Sequence, residues 1–550
     1  MKMIKWFLAI FLGFVLILVT FVIIDIRPFY PLLTAEDPSP QDFQTPSGVS
    51  IDLRSDIVFL TASEMAHKIR EKELTAVEVV EAHLSQIYAF NPQVNAVVTI
   101  DAEGALKRAK EADLALNQGK LWGPLHGVPF TVKDHLATKS IRTTSGFGPL
   151  KDVVPDYDAT VVARLKEAGA ILLGKTNLPT LGACCGTTNL IFGTTNNPWD
   201  LSRTVGGSSG GSAAALATGM TPIEVGSDIG GSIRIPAHYN GIFGMKPTEH
   251  LISFHGSSYP GIEKLIPKMQ EVQTSRHLIH LGPMARSIED LQLLLEILTG
   301  PDPNDVSTVD MPLVFPNRKP HHQLRIAWTK NLPVNHWGQR TDKISLSSSK
   351  VTKNFIQKLI EEKITVQEKK FTPEYIQKAW GVFNELYSME YDFYFPVLFR
   401  IQAKLLGNPF SVVPYSYEKY QYILTERDQT ISIMEKVFEN YDALVLPVTL
   451  GSAYKHVEPK YENGMLLNFM EPVKIDGEII ENIAVDTFYT NLFNLMGNPV
   501  IVIPIGLTES GLPVGIQVVG RRWSDAKLLI VAKQLFEVAG DFRHPPGFMN

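Results

Sequence analysis

The sequence predicts an α/β fold, on three observations. Segments with helical apolar spacing alternate with short apolar runs of strand length along the whole chain, the pattern of mixed helix and strand layers. The chain has 550 residues, enough to bury the core of one large α/β domain or of roughly two to four smaller ones. Its composition, 45% hydrophobic and 20% charged, is that of an ordinary globular protein, with no internal repeat or low-complexity tract.

The N-terminus departs from this pattern. Trp6 to Ile24 is uncharged, and apolar apart from Gly13 and Thr20. A helix crossing a bilayer needs about 20 such residues. Lys2 and Lys5 precede the run, and Asp25 and Arg27 follow it. The positive-inside bias then puts the N-terminus in the cytoplasm and the body on the non-cytoplasmic side. A cleaved signal peptide competes, but the run is longer than a usual signal core and no A-x-A site follows. The expectation is a single-pass membrane protein: a transmembrane anchor over 1–27, a tether over 28–59, and a globular domain over 60–546.

The elements of that domain follow in order. Thr61 and Thr75 cap two helices, the second carrying Val77, Val80 and Leu84 at helical spacing. Asp101 to Gln118 is an alanine-rich helix. Thr160 to Ala168 is an amphipathic helix stopped by Gly169, and Ala170 to Gly174 then reads as a buried strand. A small-residue helix runs from Ser212 to Thr218, and a short strand from Pro222 to Val225. Residues 300–345 are rich in Pro, Asp, Asn and Ser and read as a long irregular connection. Val351 to Lys363 reads as a polar-faced helix. Asp442 to Val448 and Pro499 to Ile505 read as buried strands, and Gly511 to Gly520 as a turn and a further strand. Trp380 to Phe399 is dense in aromatics: it could line an acyl channel, lie on a membrane, or be an ordinary core helix.

Charge and cysteine content exclude several functions. The net charge is −6 with no dense basic block, which argues against a nucleic-acid partner. The two cysteines, Cys184 and Cys185, are adjacent. They make neither a disulfide framework nor a CxxC metal pair, and read as small buried apolar residues. No metal or cofactor is called for.

Two serine segments carry the chemistry: Gly206-Gly207-Ser208-Ser209-Gly210-Gly211-Ser212 and, with its serine twenty-four positions beyond Ser208, Gly226-Ser227-Asp228-Ile229-Gly230-Gly231-Ser232-Ile233-Arg234. Lys133 precedes both, in the apolar strand around Val128 and Val132. Three readings compete. In the first, Gly206–Gly210 is a G-x-S-x-G nucleophile elbow with Ser208 as nucleophile. The segment before it, Pro198 to Thr204, reads as a loop rather than a strand, and the histidines nearest the C-terminus, His456 and His544, have no evident acid partner. In the second, Gly169 to Thr176 fits the phosphate-loop pattern letter for letter. There the helix comes before the strand, so no helix N-terminus faces a phosphate. In the third, Ser232 is the nucleophile, the N–H groups of Ile229, Gly230 and Gly231 receive the carbonyl oxygen as it gains charge, Lys133 is a base made neutral by burial, and Ser208 relays the proton. The third reading uses every feature.

These segments resemble the amidase-signature hydrolases. The likeness extends to Ile235-Pro236-Ala237, Gly241 to Thr248, Gly123 to Pro129, Gly174 to Asn177 and Gly511 to Gly520, and is strongest between 120 and 250. The resemblance implies a single α/β/α domain around a mixed sheet, a Ser–cis-Ser–Lys triad carried by Ser232, Ser208 and Lys133, and a cis peptide at Gly207–Ser208. It implies cleavage of amides through an acyl-serine, without metal or cofactor. Gly182 falls where a backbone carbonyl of the family contacts substrate, and Arg234 where an arginine supports the loop. The anchor followed by this body is similar to membrane-bound fatty-acid amide hydrolases, and the core equally to bacterial amidases. Ile229 and Ile235 stand where the catalytic chain of the glutamyl-tRNA amidotransferases usually has Thr and Gln, so that reading is set aside. The expected activity is hydrolysis of hydrophobic acyl amides, with a small-molecule amide and the membrane as partners; a homodimer is left open. An esterase using Ser208 and a membrane-tethered binding protein without catalysis remain as alternatives.

Overall fold

A computed structural model describes residues 50–183, 186–264, 276–333, 335–336, 339–340, 344–391, 416–457, 461–462, 465–466, 472–480 and 487–549. The span expected at Trp6 to Ile24, the tether up to residue 49 and the paired cysteines lie outside these residues. The localisation is corrected. Among the described residues no helix is long and apolar enough to cross a membrane. The transmembrane element, the membrane as partner and the placing of the body on the non-cytoplasmic side therefore have no structural support and are dropped.

Eleven strands form one mixed sheet: β1 Val97–Ile100, β2 Pro129–Lys133, β3 Ile171–Thr176, β4 Ile223–Asp228, β5 Phe243–Lys246, β6 His280–Ala285, β7 Arg325–Trp328, β8 Thr365–Glu368, β9 Ala443–Pro447, β10 Val500–Leu507 and β11 Pro513–Val519. Their order across the sheet is β1-β3-β2-β4-β6-β5-β10-β11-β9-β7-β8. The β3-β2-β4 and β9-β7-β8 groups are parallel, and the other pairings are antiparallel. β2, β3, β4 and β9 are buried along their full length. That is why they read as unbroken apolar runs rather than alternating ones.

Helices cover both faces. They include α1 Ala62–Arg70, α2 Ala76–Val94, α3 Ala102–Asn117, α4 Thr160–Glu167, α5 Gly210–Ala217, α6 Arg234–Asn240, α7 Ile288–Leu298, α8 Leu346–Glu361, α9 Pro373–Tyr391, α10 Tyr417–Glu435, α11 Phe488–Met496 and α12 Asp525–Ala539. Thr61 and Thr75 close capping boxes with Glu64 and Glu78, satisfying the free N–H groups that open α1 and α2. One core joins α1, α4, α7, α8 and α12 to Phe130, Val132, Ile223 and Val225. On the other face α2, α3 and α5 pack on Ile171 and Leu173, and α9 to α11 on Leu444 and Leu446. Because side chains alternate along a strand, Thr131 and Lys133 of β2 and Glu224, Gly226 and Asp228 of β4 fall on this second face.

One expectation changes, and one open reading is narrowed. β7, inside the stretch read as irregular, pairs with β9 because flanking tertiary pairing overrides its polar surroundings. In the described part of the aromatic stretch, Trp380 and Phe383 are buried and Trp380 stacks on Phe488 of α11, with centroids 5.1 Å apart. That part is a core helix.

Candidate active site

Lys133 is the last residue of β2 and is fully buried. Its Nζ lies 2.6 Å from Ser208 Oγ and 2.9 Å from Ser227 Oγ. Removal from water disfavours the ammonium and brings its pKa down to about 7, against the opposing pull of Asp228 and Glu224. An amine at that value is half neutral near pH 7, so it can accept a proton there.

Ser208 stands just before α5, and the Gly207–Ser208 peptide is cis. The glycines that follow are required by space. A Cβ on Gly211 would come within 2.4 Å of the Asn177 backbone nitrogen, so α5 can pack against β3 only with a bare backbone there. The Ser209 N–H donates to the Ser232 carbonyl at 3.0 Å and ties the two serine segments together.

Ser232 follows β4 in a loop built on Asp228. That carboxylate accepts from the Gly231 N–H at 2.9 Å, from the Ile233 N–H at 3.1 Å, and from Arg234 through Nε at 3.0 Å and Nη2 at 2.8 Å. The paired guanidinium holds its pKa well below the usual carboxylate range despite burial. Arg234 is itself fully buried, not a surface arginine, and donates also to Thr490 O, Gln517 Oε1 and Asn494 Oδ1. Asn494 in turn donates to Asp228. Residues of α11 and β11 thus clamp the loop. Ser232 is half-buried, and among the described residues its hydroxyl makes no hydrogen bond. The N–H groups of Ile229, Gly230 and Ser232 likewise find no acceptor among them, whereas that of Gly231 is committed to Asp228. The set expected to face a carbonyl oxygen loses Gly231 and gains the serine's own N–H.

Gly182 completes the group. A Cβ at its position would sit 3.5 Å from Ser208 Oγ. Around it three non-glycine residues adopt the left-handed conformation: Ser145 (φ 55°), Leu181 (φ 51°) and Tyr259 (φ 50°). They are linked. The Ser145 N–H donates to Asp134 O, the Leu181 N–H to Ser145 O at 2.8 Å, and the Tyr259 hydroxyl to Leu181 O at 2.8 Å. Such strain clusters where surrounding structure imposes a conformation that function needs.

The competing readings fare poorly. Asp200–Thr204 is a strand, contrary to its loop-like reading, but it pairs in a two-stranded hairpin outside the main sheet. Ser208 Oγ meets a lysine, and among the described residues no histidine bonds to it. Gly169 to Thr176 contains β3, Lys175 is buried on Thr138 and Thr143, and the chain after the strand forms only a single 3-10 turn at Thr180–Gly182. The sequence alone assigns no role to Ser227, Asp228, Thr490, Asn494, Gln517 or Tyr259. The first two lie inside the serine motif. The others come from distant, chemically plain segments, with no signal to mark them.

The model of the amidase family matches residues 78–529. An acylamidase of Rhodococcus erythropolis is 30% identical over 488 residues, covering 86% of this chain and 94% of the relative. The A chain of the glutamyl-tRNA(Gln) amidotransferase of Carboxydothermus hydrogenoformans is 32% identical over 505 residues, covering 87% and 96%. Among solved structures, 6-aminohexanoate cyclic dimer hydrolase complexed with substrate superposes with a TM-score of 0.69 at 26% identity, covering 90% of this chain and 100% of that one. Fatty acid amide hydrolase shares the fold with a TM-score of 0.71 at 24% identity, covering 88% and 86%. By the extent of that family match and of these whole-length similarities, the chain belongs to the amidase-signature family and is a hydrolase acting on amide C–N bonds.

Proposed function

We propose that the enzyme cleaves amides with hydrophobic acyl groups through a Ser232–Ser208–Lys133 triad. The observation that carries this reading is the buried 2.6 Å contact between Lys133 Nζ and Ser208 Oγ, beside a serine whose hydroxyl is uncommitted. Neutral Lys133 takes the Ser208 proton as Ser208 takes that of Ser232, and Ser232 Oγ attacks the amide carbonyl. The N–H groups of Ile229, Gly230 and Ser232 receive the developing oxyanion. The proton returns through Ser208 to the leaving nitrogen, and water then hydrolyses the acyl-serine by the same relay. Gly182 holds the substrate across from this loop.

An apolar cluster of Phe147, Leu150 and Ile262, joined by Leu181 and Tyr259, adjoins Gly182 and supports an apolar acyl group. Overall identity does not separate acylamidase from amidotransferase relatives. The apolar Ile229 and Ile235 beside the Ser232 loop favour the former. A fluorophosphonate probe tests the reading. Digestion and mass spectrometry should find the adduct on Ser232, and Ser232→Ala should be folded, unlabelled and inactive. An adduct on Ser208 would restore the esterase reading, and no adduct at all would point to a binding protein.

A further inference from the structure

Beneath the triad lies a buried acid that the mechanism above does not use. Glu224 is fully buried on β4, paired in register with Thr131 of β2 and two residues along the same sheet face from Lys133's neighbour Gly226. Its Oε1 accepts from Thr131 Oγ1 at 2.9 Å and from Thr176 Oγ1 at 2.7 Å, and its Oε2 from the Val225 N–H at 2.9 Å. All three donate to the carboxylate and favour its ionised form, in opposition to burial. Asp228, the other acid near Lys133 and the stronger of the two in raising its pKa, is paired with Arg234. Glu224 has no cation within salt-bridge distance among the described residues, so its charge is not cancelled locally.

Resting on the reading of Lys133 as base, we propose that Glu224 is a positioning residue: its carboxylate, anchored on Thr131 of β2 and Thr176 of β3 on the Lys133 face of the sheet, adds to the pull of Asp228 on the lysine and so shifts the pH at which the base becomes available. The other groups facing the pair are Ser208 from the α5 loop, Ser227 and Asp228 from β4, His135 beyond the end of β2, and Lys175 from β3. Burial keeps His135 neutral, and Lys175 lies against Thr138 and Thr143. Asp228 and, after it, Glu224 raise the Lys133 pKa against the effect of burial. Burial brings the Glu224 carboxyl itself up to about 7, opposed by its two threonine donors. The threonine donors favour the ionised carboxylate and so the negative charge that the lysine meets.

The test is the pH dependence of kcat/KM for hydrolysis of 4-nitroacetanilide by the wild-type protein, Glu224→Gln and Thr131→Val. With the charge removed, the ammonium loses its partner. In Glu224→Gln the acid limb should move to lower pH by about one unit, the size of shift a close opposite charge produces, with the plateau within a few-fold of wild type. Thr131→Val removes one donor to the carboxylate and should move the limb the same way by less. It also decides the matter should Glu224→Gln fail to fold. A purely structural role would lower the plateau or the melting temperature and leave the limb in place, and that result overturns the proposal. A limb that persists in Lys133→Met would instead overturn the base itself, and with it this role.

Discussion

Ser208 is approached from two unlike kinds of structure. On one side Lys133 stands at the end of a fully buried strand, third from one edge of an eleven-stranded sheet. On the other, Gly182 sits in a loop whose neighbours Ser145, Leu181 and Tyr259 all hold left-handed backbone. The sheet side does electrostatic work. Its rigidity keeps water from the amine, and dryness, not strain, brings the lysine toward neutrality. The loop side does geometric work. Its residues are held in costly conformations by a relay of hydrogen bonds, and the backbone of Gly182 stands close to Ser208. Damage to the first should therefore appear in kcat and its pH dependence, and damage to the second in KM.

The largest effect should follow from Lys133→Met, which keeps the volume and removes the titrating group. General-base removal costs about 10²- to 10⁴-fold in rate. Folded Lys133 has its pKa depressed to about 7, so the competent neutral form accumulates as pH rises through 7. Wild-type activity should climb through that range, and the limb should vanish in the variant. An identical profile would break the sheet half of the comparison. Gly182→Ala comes next. The new methyl would lie 3.5 Å from Ser208 Oγ, an ordinary contact, so the cost is mainly the positive φ of 66°. About 1–2 kcal/mol of strain is expected, equivalent to roughly tenfold, read as a higher KM at nearly constant kcat. A fall in kcat with KM unchanged would mean that Gly182 acts on the triad and not on substrate. The smallest effect should come from Tyr259→Phe, which deletes the 2.8 Å hydrogen bond to Leu181 O. A loss of about 1 kcal/mol, or about fivefold in KM, would tie Tyr259 to the loop. A variant with wild-type KM would leave the strained trio without a function for its tyrosine link.

The sequence revealed these two sides unequally. Lys133, Ser208 and Ser232 were legible because their surroundings are unusual in one dimension: glycines packed around serines, and a lysine inside an apolar run. The strands β2, β3, β4 and β9 were legible because burial on both faces leaves an unbroken apolar stretch. β7 was not, since four residues inside a polar, proline-rich tract carry too little periodicity to stand out. Nor were Thr490, Asn494 and Gln517, which act only because folding brings them to Arg234 from more than 250 positions away. The commitment of the Gly231 N–H to Asp228 was equally hidden, because the direction of a backbone N–H is a property of the folded loop. The left-handed residues at Ser145, Leu181 and Tyr259 left no trace either, since none is a glycine or an asparagine.

The clamp on the Ser232 loop also bears on how the enzyme is made. All three residues of the proposed triad are in place by position 232, yet the groups that fix Arg234 lie at Thr490, Asn494 and Gln517. During synthesis from the N-terminus, a chain carrying every reactive group stays without the partners of its buried guanidinium until the last stretch of translation. Pairings of that sequence separation close late and slowly. The loop that carries the proposed nucleophile therefore gains its clamp only once residues 490–517 have been made.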